Sequence, residues 1–249
     1  MAKSITSVTD LLVANNELRQ EWNGKIWWRG QSSDGYLLIP GVYRISRGIR
    51  TEQNLSLRFR QYGQTRYEKC PPQDDFCSWL FLAQHYGLPT RLLDWSESPL
   101  VSLFFAANAN SDLNASLYAL HPREMNKIVN NDPTLVPVTS SPANELFQGA
   151  FDDRFKLEKT IAIMSNELDS RMLAQQSAFT LHGNRVDLLK LSELKDVIRT
   201  FNVPAASKEK IINELASLGI RRRTLFPDLD NLASDLKGLA FSVTGTWIA

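Results

Sequence analysis

Cysteine is scarce in this chain: Cys70 and Cys77 are the only two among 249 residues. One pair in C-x6-C spacing is not a disulfide framework, and without a nearby histidine it is not a zinc site. Both read as reduced thiols of a cytoplasmic protein. Histidine is nearly as sparse. His85, His121 and His182 lie far apart in the sequence, which favours structural roles for each. Long apolar runs are missing too. The greasiest stretch, Pro99 to Ala107, falls far short of the ~20 residues that span a bilayer, so no membrane partner is expected. The first ten residues carry no apolar core and do not read as a signal peptide. Charge of one sign is absent: 28 basic against 27 acidic side chains leave +1. The chain as a whole therefore has no long-range pull toward nucleic acid or an anionic surface. Glycine and proline, 12 and 11 residues, are too few for a collagen-like or low-complexity chain.

The familiar chemical motifs are also missing. There is no Gly-x-Gly-x-x-Gly fingerprint, no P-loop, no His-Glu-x-x-His helix and no Gly-x-Ser-x-Gly elbow. No metal site is expected. What remains is a chain with 43% hydrophobic and 10% aromatic residues, long enough to bury a sizeable core.

Ser7 and Asp10 predict a capped helix running to about Trp22. Further helices are expected over Thr51–Tyr62, Asp75–Tyr86, Ser96–Asn108 and Ser207–Leu218, with a last one from about Asp228. Strands are expected at Ile26–Arg29, Ser116–Leu120, Thr160–Met164, Ala178–His182 and Val197–Phe201. Residues 30–35 read as a polar loop, and Tyr36–Arg44 as extended chain broken at Pro40 and Gly41. Residues 124–158, with their Asn, Asp, Pro and Ser clusters, read as an irregular insertion, either a lid or a surface loop. The pattern is that of one α+β domain over residues 1–249, a mixed sheet flanked by helices.

Three segments carry concentrated polar chemistry. In Trp27-Trp28-Arg29-Gly30-Gln31-Ser32, an arginine ends an aromatic strand beside glycine. That places a guanidinium fork at a sheet edge next to a flexible backbone, able to take a phosphate or carboxylate in two parallel bonds. The alternative is a surface arginine stacked on an indole. The second segment runs from Gln84 to Pro99. Here Arg91 and Asp94 flank two leucines, and Ser96, Glu97 and Ser98 open a helix whose free amides favour an anion. Alternatively Asp94 or Ser96 only caps that helix, and Arg91 only pairs with Asp94. The third, Arg171 to Thr180, sets Gln175 and Gln176 before a strand. A basic run, Arg221 to Arg223, reads either as a solvated helix end or as a phosphate contact for nucleic acid.

Together these segments resemble the FRG domain family, named for an aromatic-Arg-Gly motif that is Trp28-Arg29-Gly30 here. The block Leu82 to Ser96, with Gly87-Leu88-Pro89-Thr90-Arg91-Leu92-Leu93-Asp94-Trp95-Ser96 at its heart, carries most of the resemblance. Pro99 to Ala106 continues it, with Ser102 where alanine is expected. Arg171 to Phe179 and Leu225 to Asp230 look like later motifs, so the resemblance runs from about residue 25 to 236. FRG domains are bacterial and phage-associated, which implies a place in phage defence. Their motif order also resembles the ADP-ribosyltransferase and NAD-cleaving fold.

That likeness implies an NAD-binding enzyme. Arg29 and Arg91 would hold phosphates, and Trp28 or Tyr86 would stack on nicotinamide. Gln31, His85 and Ser96 would complete the binding set. Asp94, Gln175 or Gln176 would orient the ribose for catalysis. A glutamate in a late strand is the expected carboxylate, and Glu97, Glu145 and Glu167 are available without a persuasive motif around any of them. The competing class is a non-catalytic module that binds nucleic acid or a partner protein. The plainest reading has Trp28, Leu92, Leu93 and Trp95 as packing and Arg91 with Asp94 as a buried pair.

Overall fold

The computed structural model describes residues 3–45, 48–138, 140–152, 154–155, 158–164 and 169–241. In chain order the elements are β1 (Lys3–Ser4), α1 (Val8–Glu21), β2 (Trp27–Gln31), α2 (Gly48–Gly63), α3 (Phe76–His85), β3 (Leu92–Ser96), α4 (Pro99–Ala107) and β4 (Ala115–Leu120). There follow α5 (Pro122–Asn130), β5 (Val136–Pro137), α6 (Ser141–Gln148), β6 (Thr160–Met164), α7 (Ser170–Ala174), β7 (Ser177–His182), β8 (Ile198–Val203), α8 (Lys208–Ser217), α9 (Arg222–Leu225) and α10 (Leu229–Phe241). The strands form one mixed sheet in the order β1-β8-β4-β2-β3-β7-β6-β5. Its two end pairs, β1 with β8 and β5 with β6, are parallel, and the pairs between are antiparallel. The expected α+β domain with a mixed sheet is what forms.

Strand alternation sorts the core onto two faces. On one face Trp28 pairs across to Ala119, and Leu117 to Phe201. These residues pack beneath α1, α4 and α8. The same face continues through Leu92, Phe179, Leu181, Ile161 and Ile163, covered by α3 and α6. The opposite face carries Trp27, Leu93, Trp95, Tyr118 and Ala178 against Met125 of α5 and the turns around Leu188 and Leu194.

Four expectations are corrected. Residues 41–44 form a 3-10 turn rather than extended chain, because Pro40 and Gly41 start a turn closed by the Tyr43 amide on the Pro40 carbonyl. The supposed loop at Gly30 and Gln31 is the end of β2. Leu92–Ser96, expected as the approach to a helix, is a central strand, and the following helix is capped by Ser98 instead of Asp94 or Ser96. Residues 124–158 are not an irregular insertion. They contain most of α5, all of β5 and all of α6, and Ala143, Phe147 and Phe151 are buried in the core.

Candidate functional site

Arg29 lies at the middle of β2, which is an interior strand with β4 on one side and β3 on the other. The expected sheet edge is therefore a sheet centre. Nor is Gly30 a flexible joint. A Cβ built on it would lie 1.9 Å from the Ser102 carbonyl oxygen in α4, so the glycine is there to let helix and strand touch. β2 and β3 pair at Trp28 and Ser96 alone. Beyond that rung an Arg29 NH1 hydrogen bond to the Asp94 main-chain carbonyl joins the two strands. The Asp94 carboxylate is 3.9 Å from the same nitrogen.

The Arg29 side chain is 16% exposed, while that of Asp94 is 61% exposed. Arg29 Nε is buried with no hydrogen-bond partner among the described residues. Burial pushes this guanidinium down to about 10, with Asp94 opposing the shift. A cation so placed is under-compensated, and a bound anion relieves it. Asp94 is held from behind by Gln84 Nε2 at 2.5 Å. Gln84 in turn accepts from the Thr90 hydroxyl.

A cleft of about 690 Å3 opens at the other end of β2. Trp27, Glu97, Gln176, Arg123, Thr134 and Met172 are among the residues that line it. Such a volume suits a small-molecule ligand. Trp27 is 1% exposed, and its indole Nε1 also lacks a partner among the described residues. Glu97 pairs with Lys25 at 2.5 Å. Gln176 adopts a left-handed backbone at φ +46°, a conformation costly for a residue with a Cβ. It is fixed there by the Glu97 amide, which donates to its carbonyl.

The expected residues therefore fall into separate places. Arg29 and Asp94 meet at the seam between β2 and β3, and Gln176 lines the cleft. Trp28 is 1% exposed and stacks on Phe201 at 5.9 Å, which makes it core rather than a nicotinamide platform. Gln31 is buried, with Nε2 on the Leu37 carbonyl and Oε1 unpartnered among the described residues. The Ser96 hydroxyl donates to the Gln175 carbonyl and accepts from the Ser98 amide, so it ties the motif blocks together. Gln175 Nε2 donates to the Leu225 carbonyl.

Arg91 is not a phosphate grip, nor is it Asp94's partner. It is 2% exposed and bonds Glu52 through Nε at 2.7 Å and through its own amide at 2.6 Å, with NH2 on the Gly149 carbonyl. His85 and Tyr86 belong to neither the seam nor the cleft. They sit in a second pocket, where His85 Nδ1 is 2.8 Å from Asp169. Glu145 lies on α6, away from the cleft lining, and Glu167 lies outside the described residues. The basic run is locally engaged. Arg221 donates to Ala216, Arg222 to Asn231, and Arg223 is 4.0 Å from Asp235.

Sequence reasoning missed Trp27, Glu52, Gln84, Arg123 and Asp169 as partners. Trp27 was within reach: in a strand, neighbours point to opposite faces, so Trp28 in the core sends Trp27 to the other side.

His182 is fully buried beneath this region, with the Thr180 hydroxyl 2.9 Å from Nε2 and the Thr160 hydroxyl 3.4 Å from Nδ1. Burial pushes its ring down to about 3. An unfolded histidine protonates near ~6.5. Between those values the unfolded chain binds the extra proton, so stability is present above pH ~6.5 and falls as pH drops toward 3. Urea unfolding followed from pH 7 to pH 4 is expected to lose up to about 1.4 kcal/mol per unit through this group. A stability that stays flat over that range overturns the assignment.

Residues 24–115 match the model of the FRG domain family. The later motifs at 171–179 and 225–230 lie beyond the matched residues. No curated protein and no solved structure matches the chain.

Proposed function

We propose that this chain binds NAD as a substrate and cleaves its nicotinamide–ribose bond, in the manner of ADP-ribosyltransferases or NAD hydrolases. The observation that carries the reading is Arg29, a mostly buried guanidinium with, among the described residues, an unpartnered Nε and no carboxylate nearer than 3.9 Å. A pyrophosphate supplies the missing anion through two parallel hydrogen bonds. Two residues earlier on the same face of the strand, Trp27 opens into a cleft of suitable volume.

Breaking the bond sends its electron pair to the ring nitrogen, and nicotinamide leaves neutral. The ribose carbon gains positive charge until an oxygen nucleophile adds. A nearby carboxylate stabilises that charge. Asp94 stands beside Arg29, and Glu97 stands on the cleft wall with Gln176. Arg91 has no part in this reading, because Glu52 already neutralises it.

Calorimetric titration with NAD, run alongside a nicotinamide-release assay, tests the reading. Arg29→Ala is expected to weaken NAD binding about a hundredfold and to abolish release. Arg29→Lys keeps the charge and loses the fork, so it is expected to fall between. Binding without release makes the chain a sensor of the nucleotide. Wild-type protein that neither binds nor consumes NAD ends the proposal and leaves the nucleic-acid or protein-binding module.

A further inference from the structure

We infer that the pocket that α3 forms with residues 67–75 and Asp169 is a receptor for a small organic cation. The pocket has a volume of about 280 Å3, enough for a single headgroup and too small for a dinucleotide. Three rings, those of Tyr67, His85 and Tyr86, line it. Tyr67 and Tyr86 are nearly perpendicular, at 73°, with centroids 6.1 Å apart. His85 and Tyr86 are likewise perpendicular, at 74° and 5.1 Å. Tyr86 is 59% exposed, although large aromatic rings are usually covered. Aromatic rings in a pocket wall attract quaternary ammonium and guanidinium groups.

The charges around the pocket agree with this. Asp75 and Asp169 both line it. Each spends one oxygen capping a helix, on the Ser78 and Met172 amides, and those neutral donors do not cancel the charge. Asp169 also meets His85 Nδ1 at 2.8 Å. The opposing charge is Lys69 at the rim, which has no acidic partner among the described residues. The lining thus carries two carboxylates and one ammonium.

The walls are preorganised. The loop that bears Tyr67 and Lys69 is pinned by Trp79 Nε1 on the Pro72 carbonyl and by Arg60 NH1 on the Gln73 carbonyl, both at 2.9 Å. Fixed walls lower the ordering cost of binding.

The site shares no lining residue with the cleft and does not depend on the NAD reading. The same chemistry has two sources: a free alkylammonium, or the lysine or arginine side chain of a partner. Calorimetry on the full chain with choline, tetramethylammonium, N-acetylarginine amide and neutral 3,3-dimethylbutanol separates them. Choline is expected to bind at least about tenfold more tightly than its neutral carbon isostere. Tighter binding of the quaternary ions assigns a free ligand, and tighter binding of the arginine amide assigns a partner's side chain.

Tyr86→Ala, at an exposed position that leaves folding intact, is expected to weaken binding about tenfold. Lys69→Ala is expected to strengthen it about threefold by removing the opposing charge. Arg29→Ala is expected to change nothing. No binding of any cation by the wild type, equal binding of the neutral isostere, or indifference to Tyr86→Ala overturns the inference.

Discussion

An Arg91→Met variant is expected to unfold about 3–5 kcal/mol more easily than the parent chain. The arginine and Glu52 are 2% and 0% exposed, and the carboxylate receives both the guanidinium and the Arg91 main-chain amide. Burial pushes the Glu52 carboxyl up while Arg91 pulls it back. Without the cation, a carboxylate stays buried with only one amide donor. It then takes up a proton or draws in water, and either costs stability. The Gly149 carbonyl loses its NH2 donor as well. The double variant Arg91→Met with Glu52→Leu removes both charges and is expected to recover much of the loss, because the pair itself adds little beyond its own desolvation cost. Urea midpoints for the parent, the two single variants and the double variant measure this coupling. A loss below about 1 kcal/mol in the Arg91 variant would put the pair in water and contradict its burial.

Gly30→Ala is the second large effect. The added Cβ falls 1.9 Å from the Ser102 carbonyl oxygen and 2.5 Å from the Ala106 nitrogen, both main-chain atoms of α4. No rotamer relieves such a clash, so the whole helix must shift off β2. The cost is expected at the top of the overpacking range, about 3 kcal/mol or more. Gly219→Ala makes the contrast. It meets nothing within 4 Å and bears only the strain of φ +83°, about 1–2 kcal/mol. Thermal melts of the two variants are expected to rank Gly30→Ala well below Gly219→Ala, and the reverse order would refute the close approach. The glycine of the Arg-Gly motif thus acts in packing, while the arginine before it faces the seam.

Most of the fold was legible because its elements carry local signals. Ser7 does accept the Asp10 amide, Asp75 does cap α3, and Gly87 ends that helix's turn at φ +83°. The strands at 116–120, 160–164 and 178–182 stand out by their apolar, β-branched or aromatic runs. Leu92–Ser96 escaped because its exposed Asp94 and two flanking polar clusters imitate a loop. Only the ladder with β7 makes it a strand. At the site, Arg29 and Asp94 were readable as members of motifs, whereas their approach to 3.9 Å was not. The partner of Arg91 was not readable. Glu52 lies 39 residues away on α2, and no local pattern announces that contact. Asp169 reaches His85 across a still longer separation. Long-range pairs belong to topology, which short spacings do not encode.

The strand order also bears on how the chain comes off the ribosome. The stretch that matches the family holds β2 and β3, yet these two share one rung, and Ala115 is all of β4 that it contains. Each strand's full ladder lies downstream, β4 for β2 and β7 for β3. The N-terminal β1 waits longest, because its partner β8 ends at Val203. At ordinary translation speeds that delay is on the order of ten seconds or more. Until β4 emerges, the aromatic strand Trp27-Trp28 lacks the ladder that helps bury it. A fragment cut at the limits of the family match is therefore a poor candidate for independent folding.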